Sequence, residues 1–299
     1  MSRRAHLGAT PETRVFLALG AAALAWLTLG GPTGGARGLV VVLALAVAVA
    51  GLPHGALDAW VARRAGLWRT PAGCVAFHVA YLGLAAAVVA AWRWAPGSSL
   101  TAFLAISAWH FAGDWGDRLP AWARAAAGAA VLALPAWRWP DEVAWAFGAL
   151  SGADGHAIAA ALSALAPWLA AGLLAAVIVA LRRSATAALE LGTVAVLALL
   201  LPPLAYFAIY FCGLHSLRHL RLAAAGVAPE ARPRLVVVAG LYTGATVLAG
   251  AAAWPWVAAL GAADWSTDTM RLVFIGLAAL TLPHMLVVMH AERAQAGSR

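Results

Sequence analysis

The chain has 299 residues, 64% of them hydrophobic and only 11% charged, where a soluble domain carries roughly a quarter charged residues. Its apolar runs approach or exceed the ~20 residues that cross a bilayer as a helix, and they are continuous rather than alternating, so a soluble fold and a β-barrel are both excluded. The net charge of +8 comes from arginine alone, with no lysine anywhere, which excludes a retinal-bearing rhodopsin, whose Schiff base needs a lysine amine.

In chain order, the basic N-terminus followed by an apolar run to Leu29 reads as a first retained helix, since no small-residue cleavage site follows. Apolar runs between charged and Gly/Pro breaks then give helices near 14–30, 38–58, 72–94, 99–116, 120–139, 157–181, 187–202, 203–221, 235–258 and 271–291. GPTGGARG, beginning at Gly31, joins two apolar runs and precedes no strand–helix unit, so it is not a phosphate loop. Asp141 to Gly155 reads as an outer connection lying along the interface. The expected fold is all-α: a polytopic transmembrane helical bundle of about eight to ten helices in a single integral-membrane domain, 1–299.

The arginines fix a topology. Sixteen (Arg3, Arg4, Arg14, Arg63, Arg64, Arg69, Arg118, Arg124, Arg182, Arg183, Arg218, Arg221, Arg232, Arg234, Arg293, Arg299) fall in alternate connections and termini, and four (Arg37, Arg93, Arg138, Arg271) in the others. The rich set belongs in the cytoplasm under the positive-inside rule, which places both termini there. The basic charge is therefore a topology signal and not a nucleic-acid footprint. Trp92, Trp94, Trp137, Trp139, Trp254, Trp256 and Trp265 near outer ends, and Trp60, Trp68 and Trp122 near inner ends, take aromatic-belt positions.

On that topology even-numbered helices run inward and bring His54, His110, His215, His219 and His284 near their cytoplasmic ends. Intramembrane ionisable residues are costly and mark functional sites. The spacing repeats: His54 and Asp58, His110 and Asp114, and the pair in HSLRH, His215 and His219, are each four residues apart, one face of an α-helix. The histidine pair offers two nitrogens to one cation. Each aspartate either orients the ring on its own helix or serves a ligand from another helix. Pro53 loosens the backbone beside His54, and Gly55 allows close approach. Asp117 reads as a loop residue balancing Arg118 and Arg124. His78 reads as structural, His6, His156 and His290 as incidental, and Cys212 as packing. Cys74 and Cys212 form no C-x-x-C pair. Glu190 stands near the start of a helix with no assigned role. Imidazoles with few carboxylates suit Fe, Zn or Cu, and spacing does not choose among them. A haem between two of the histidines, making the protein a membrane electron carrier, stays open beside a bare ion.

The motifs GLPHGALD (51–58), SAWHFAGD (107–114), CGLHSLRH (212–219) and LPHMLVV (282–288), in that order and at those intervals, resemble the Brp/Blh family of bacterioopsin-related, membrane-embedded β-carotene 15,15′-dioxygenases. The resemblance implies cleavage of the central double bond of β-carotene by O2 to two molecules of retinal, at an Fe(II) site held by His54, His110, His215 and His219. It implies supporting roles for Asp58, Asp114 and His284, and a substrate channel lined by Trp109, Phe111, Tyr206, Phe207, Tyr210 and Phe211. It also implies a substrate reached through the lipid bilayer of the cell membrane, with a rhodopsin as retinal acceptor. A carotenoid- or retinal-binding membrane protein without catalysis is the remaining alternative.

Overall fold

The computed structural model describes residues 9–31, 35–259 and 264–296. Arg3, Arg4, His6, Arg299, the side chain of Arg37 and residues 32–34 of GPTGGARG lie outside the described residues. The chain is helical throughout, with no strand among the described residues. The helices are α1 (Pro11–Thr28), α2 (Gly35–Ala46), α3 (Asp58–Arg64), α4 (Pro71–Trp94), α5 (Pro96–Ala112), α6 (Ala121–Arg138), α7 (Pro140–Ser151), α8 (Ala153–Arg183), α9 (Ala185–Leu200), α10 (Pro203–Tyr210), α11 (Leu217–Ala224), α12 (Arg232–Ala258) and α13 (Trp265–Ala296).

Local sequence explains the boundaries. Prolines open α1, α4, α5, α7 and α10, where the missing N–H costs nothing because the first turn has no acceptor for it. Thr70 caps α4 by accepting from the Gly73 N–H at 3.1 Å, and Ser184 caps α9 by accepting from Ala187 at 3.2 Å; each satisfies an orphan donor of a first turn. The expected break at Pro202-Pro203 separates α9 from α10. The segment from Asp141 to Gly155 is more than a connection: it forms α7 and the start of α8. α7 buries Val143, Ala146 and Leu150 and packs against α8.

Among the described residues, five helical segments are long and apolar enough to cross a membrane: Gly38–Arg64, Pro71–Trp94, Ala153–Arg183, Pro229–Ala258 and Trp265–Ala294. α4 and α12 bury almost none of their length; Val75, Val79, Leu82, Val236, Val237, Leu241 and Leu248 all face outward. So much outward apolar surface is stable in lipid and not in water. The core lies on the other side, where Leu43, Phe111, Trp115, Leu134, Leu191, Leu197, Tyr210 and Leu214 pack together.

Two departures from α geometry shape the interior. Residues Val47–Gly51 and Phe211–Ser216 form π turns, and Leu52–Leu57 and Gly113–Arg118 form 3-10 turns. The two π turns face each other: a Cβ on Gly51 would stand 2.8 Å from Cε1 of Phe211, so the close approach requires glycine there. Gly55 has nothing within 4 Å of its Cβ position; the glycine of close approach in this motif is Gly51. Gly116, at φ 37° and ψ −132°, supplies the left-handed turn that carries the chain from α5 towards α6.

Candidate metal centre

The wide π turns and tight 3-10 turns bring five histidines to one place. His54 stands in the 3-10 turn after α2, His110 in the last turn of α5, His215 in the second π turn, His219 in α11 and His284 in α13. Ring centroids lie 4.5 Å apart for His215 and His219, 4.6 Å for His110 and His215, 5.0 Å for His54 and His284, and 5.1 Å for His110 and His284. Ligand nitrogens of His54, His110 and His284, and likewise of His110, His215 and His219, lie within 4.8 Å of one another. His110, His215 and His284 are buried, while His54 and His219 are partly accessible.

Oxygen acceptors set three of the rings. His284 Nδ1 donates to Asp58 Oδ1 at 2.8 Å. His215 Nδ1 donates to the Asp114 carboxylate at 3.1 Å. His54 Nδ1 donates to its own backbone at Gly51 O, 2.5 Å away. A ring whose Nδ1 carries the proton keeps its Nε2 lone pair for a ligand role. The aspartates are held in turn: Tyr81 Oη donates to Asp58 Oδ2 at 2.7 Å, and Tyr210 Oη to Asp114 Oδ2 at 2.6 Å. Both carboxylates therefore serve histidines on other elements, one of the two arrangements the sequence left open.

These residues fit a metal ion. The donors are imidazoles without a thiolate, a set suited to borderline transition metals. His215 Nε2 and His110 Nε2 face each other at 3.1 Å, close to the ~3 Å expected between neighbouring nitrogens that each sit about 2.1 Å from one ion. His284 Nε2 is buried and has no partner among the described residues. A buried imidazole nitrogen without a partner is costly unless something binds it.

The other sequence-selected residues fall as follows. Phe111 packs on His110 and His215, and Phe211 packs edge-on to His54 and stacks on His215. Phe207 stacks on Phe211 and meets Phe274. Tyr206 and Tyr210 are buried and stacked. Trp109 is 62% exposed on the outer surface of α5 and makes no ring contact with the cluster among the described residues. His78 lies apart, joined to Tyr242 Oη at 2.6 Å between α4 and α12, and Cys212 is buried in the core. Asp117 does not balance Arg118: it is exposed, and Arg118 turns inward to Glu190, a buried carboxylate, at 3.3 Å. Sequence reasoning gave neither Tyr81 nor Glu190 a role, although a carboxylate inside an apolar run was signal enough to look for cationic partners.

The fold and the cluster define a helical membrane protein whose core carries a polyhistidine site fit to hold a metal. A family model described as β-carotene 15,15′-dioxygenase matches residues 45–291. A protein of the uncultured marine bacterium 66A03 named β-carotene 15,15′-dioxygenase is 30% identical over 254 residues, covering 82% of this chain and 91% of the relative. The chain belongs to the β-carotene 15,15′-dioxygenase family. No solved structure matches it.

Proposed function

We propose that this protein cleaves the central 15,15′ double bond of β-carotene with O2, giving two molecules of all-trans-retinal, at a single Fe(II) held by His54, His110, His215 and His219, with His284 as a further ligand. The observation that carries the reading is the convergence of five imidazoles, three with oxygen acceptors on Nδ1, inside a chain of this family. Iron(II) bound there supplies the O2 chemistry, and both oxygen atoms leave in the two aldehydes, so no external reductant is consumed.

The protein's own residues orient and shield. Asp58 and Asp114 fix the ring planes of His284 and His215, and their tyrosine donors fix the carboxylates. Phe111 and Phe211 cover the rings on the core side and exclude water. β-Carotene is apolar throughout and dissolves in the bilayer, so a site between membrane helices receives it without an aqueous step. In this reading Phe111, Tyr206, Phe207, Tyr210 and Phe211 line its path, and Trp109, exposed on the outer surface of α5, does not. The cluster sits towards the end of the bundle that carries Arg118, Arg218 and Arg221, which the positive-inside rule assigns to the cytoplasm of a multi-pass cell-membrane protein. A rhodopsin is a chemically suitable acceptor for the retinal.

A haem needs a flat space between two axial rings. Here His110 and His215 meet nitrogen to nitrogen, and the remaining histidines close around them, which favours a bare ion over a haem electron carrier. Expression in a bacterial host engineered to accumulate β-carotene tests the proposal. Loss of orange colour with two equivalents of retinal per carotene is expected. Intact pigment beside inserted, iron-loaded protein would sink it, and intact pigment bound to the protein would mark a carotenoid carrier.

A further inference from the structure

The end of the bundle nearest the cluster holds a second, charged layer that the cleavage chemistry does not use. Glu190 of α9 is fully buried. Its Oε1 accepts from Arg218 Nη2 at 2.6 Å and from Thr13 Oγ1 at 2.5 Å, and its Oε2 accepts from Arg118 Nη1 at 3.3 Å. Both guanidiniums then donate to one and the same acceptor, the backbone carbonyl oxygen of Asp114: Arg118 Nη2 at 2.5 Å and Arg218 Nη1 at 2.9 Å. Glu12 completes the layer by accepting from Arg221 at 2.9 Å and facing Arg218 Nε at 3.5 Å. Three arginines are thus held by two buried carboxylates, Glu12 and Glu190, and by the Asp114 carbonyl oxygen.

The placement of the bonds is selective. Guanidiniums pair most strongly with carboxylates. Yet among the described residues the two that touch Asp114 hold its carbonyl, and its carboxylate is left to His215 Nδ1 and Tyr210 Oη, with His219 Nε2 4.0 Å from Oδ1. Glu190 accepts from one Nη of each guanidinium, and the other Nη of each goes to the Asp114 carbonyl. A layer needed only for packing would be served as well by apolar side chains, because burying ions carries a desolvation penalty that their pairing often fails to recover.

We propose that Glu190 is a positioning residue for the metal centre, which orders Arg118 and Arg218 on the Asp114 backbone and so reserves the Asp114 carboxylate for His215. The inference rests on the reading of the histidine cluster as a metal site. With Glu190 neutralised, Arg218 keeps Glu12, 3.5 Å from its Nε, but Arg118 loses its carboxylate partner and turns to the Asp114 carboxylate. That carboxylate is drawn from His215, and the ring loses the acceptor that sets its orientation and basicity.

Titration of the purified, metal-stripped full chain with Co(II) tests this through affinity and the d–d absorption of the bound ion. Glu190→Gln keeps shape and removes charge; Co(II) affinity about 10- to 100-fold weaker, with a shifted spectrum and unchanged helical circular dichroism, is expected from loss of an outer-layer partner. Asp268→Asn is the control, since Asp268 is a buried carboxylate paired with Arg271 at 3.1 Å on another part of the bundle; it is expected to bind as the wild type does. Should Glu190→Gln fail to fold, Arg118→Gln serves instead, because that side chain is 30% exposed and its loss removes one of the two donors that hold the Asp114 carbonyl; weaker binding with a shifted spectrum is expected from that lost hold. Wild-type affinity and spectrum in the folded variant would overturn the proposal, as would equal weakening in Asp268→Asn. A wild-type chain that takes up no Co(II) would overturn the metal-site reading and this inference with it. Wild-type binding beside unaffected variants would overturn this inference alone.

Discussion

Asp58 and His284 stand 226 positions apart in the chain and meet at 2.8 Å between Oδ1 and Nδ1. Tyr81 closes the far side of the same carboxylate at 2.7 Å. Asp114 repeats the arrangement between His215 and Tyr210. Two tyrosine–aspartate–histidine chains thus enter one imidazole cluster from different helices, and each fixes a ring that the backbone alone would leave free to turn.

The first chain predicts a graded response. Asp58→Ala removes the acceptor for His284 Nδ1 and is expected to weaken metal binding about 10- to 100-fold. Tyr81→Phe keeps the carboxylate that accepts from His284 and removes only a hydrogen bond to its other oxygen, so its effect on metal affinity should be smaller. Competition with a chelator of known affinity measures both; a Tyr81→Phe defect as large as that of Asp58→Ala would contradict the order.

His284 is the residue on which structure and family motif differ in emphasis. Its Nε2 is buried, unpartnered among the described residues, and within the same group of nitrogens as His54 and His110. His284→Ala is therefore expected to lower iron content per chain to the same extent as His219→Ala and to abolish retinal formation. Full iron occupancy in His284→Ala, with only the affinity for carotene changed, would assign this residue to substrate instead of metal.

Much of this was legible beforehand because hydropathy, proline punctuation and arginine distribution are local signals. The ten expected spans correspond to observed helices, and the Leu-Pro-His motifs lie in the site. What remained hidden depends on helix phase and on contacts across the fold. Four residues along an α-helix turn about 40° from the starting direction, but along a 3-10 turn about 120°. His54 and Asp114 each lie in a 3-10 turn, so regular α-helical phase does not carry across either His-x-x-x-Asp pair, and each aspartate reaches a different element. The π turns at Val47–Gly51 and Phe211–Ser216 shift the helix phase ahead of His54 and around His215, and such insertions often accompany functional sites. Glu190 showed only as a carboxylate in an apolar run; its partners Thr13, Arg118 and Arg218 come from three other elements.

The packing of α5 on α6 makes a prediction about a residue that touches no histidine. A Cβ on Gly128 would collide with the Ala108 carbonyl oxygen and stand 2.8 Å from the Ala112 nitrogen, both backbone atoms of α5. Backbone cannot yield as a flexible side chain would, so the helices must part. Gly128→Ala is expected to cost about 1–3 kcal/mol, the usual scale of overpacking. It should also lower turnover, because His110 follows Ala108 by two positions. Thermal unfolding in detergent and retinal yield measure the two effects, and an unchanged melting temperature would show that α5 and α6 approach less closely.

Metal removal separates fold from chemistry. Membrane helices satisfy their backbone hydrogen bonds internally and do not depend on an ion for their helicity. The chelator-stripped protein is therefore expected to keep its helical circular dichroism and lose all cleavage. Its melting temperature should fall, because an ion that binds only the folded state stabilises it by about 2.7 kcal/mol at a hundredfold excess over its dissociation constant. Restoring Fe(II) should recover both melting temperature and turnover. Zn(II) accepts the same imidazoles but has no redox chemistry, so it should recover the melting temperature alone. Retinal formation by the zinc-filled protein would show that the chemistry is not that of iron, and failure of either ion to raise the melting temperature would show that the five histidines hold no metal.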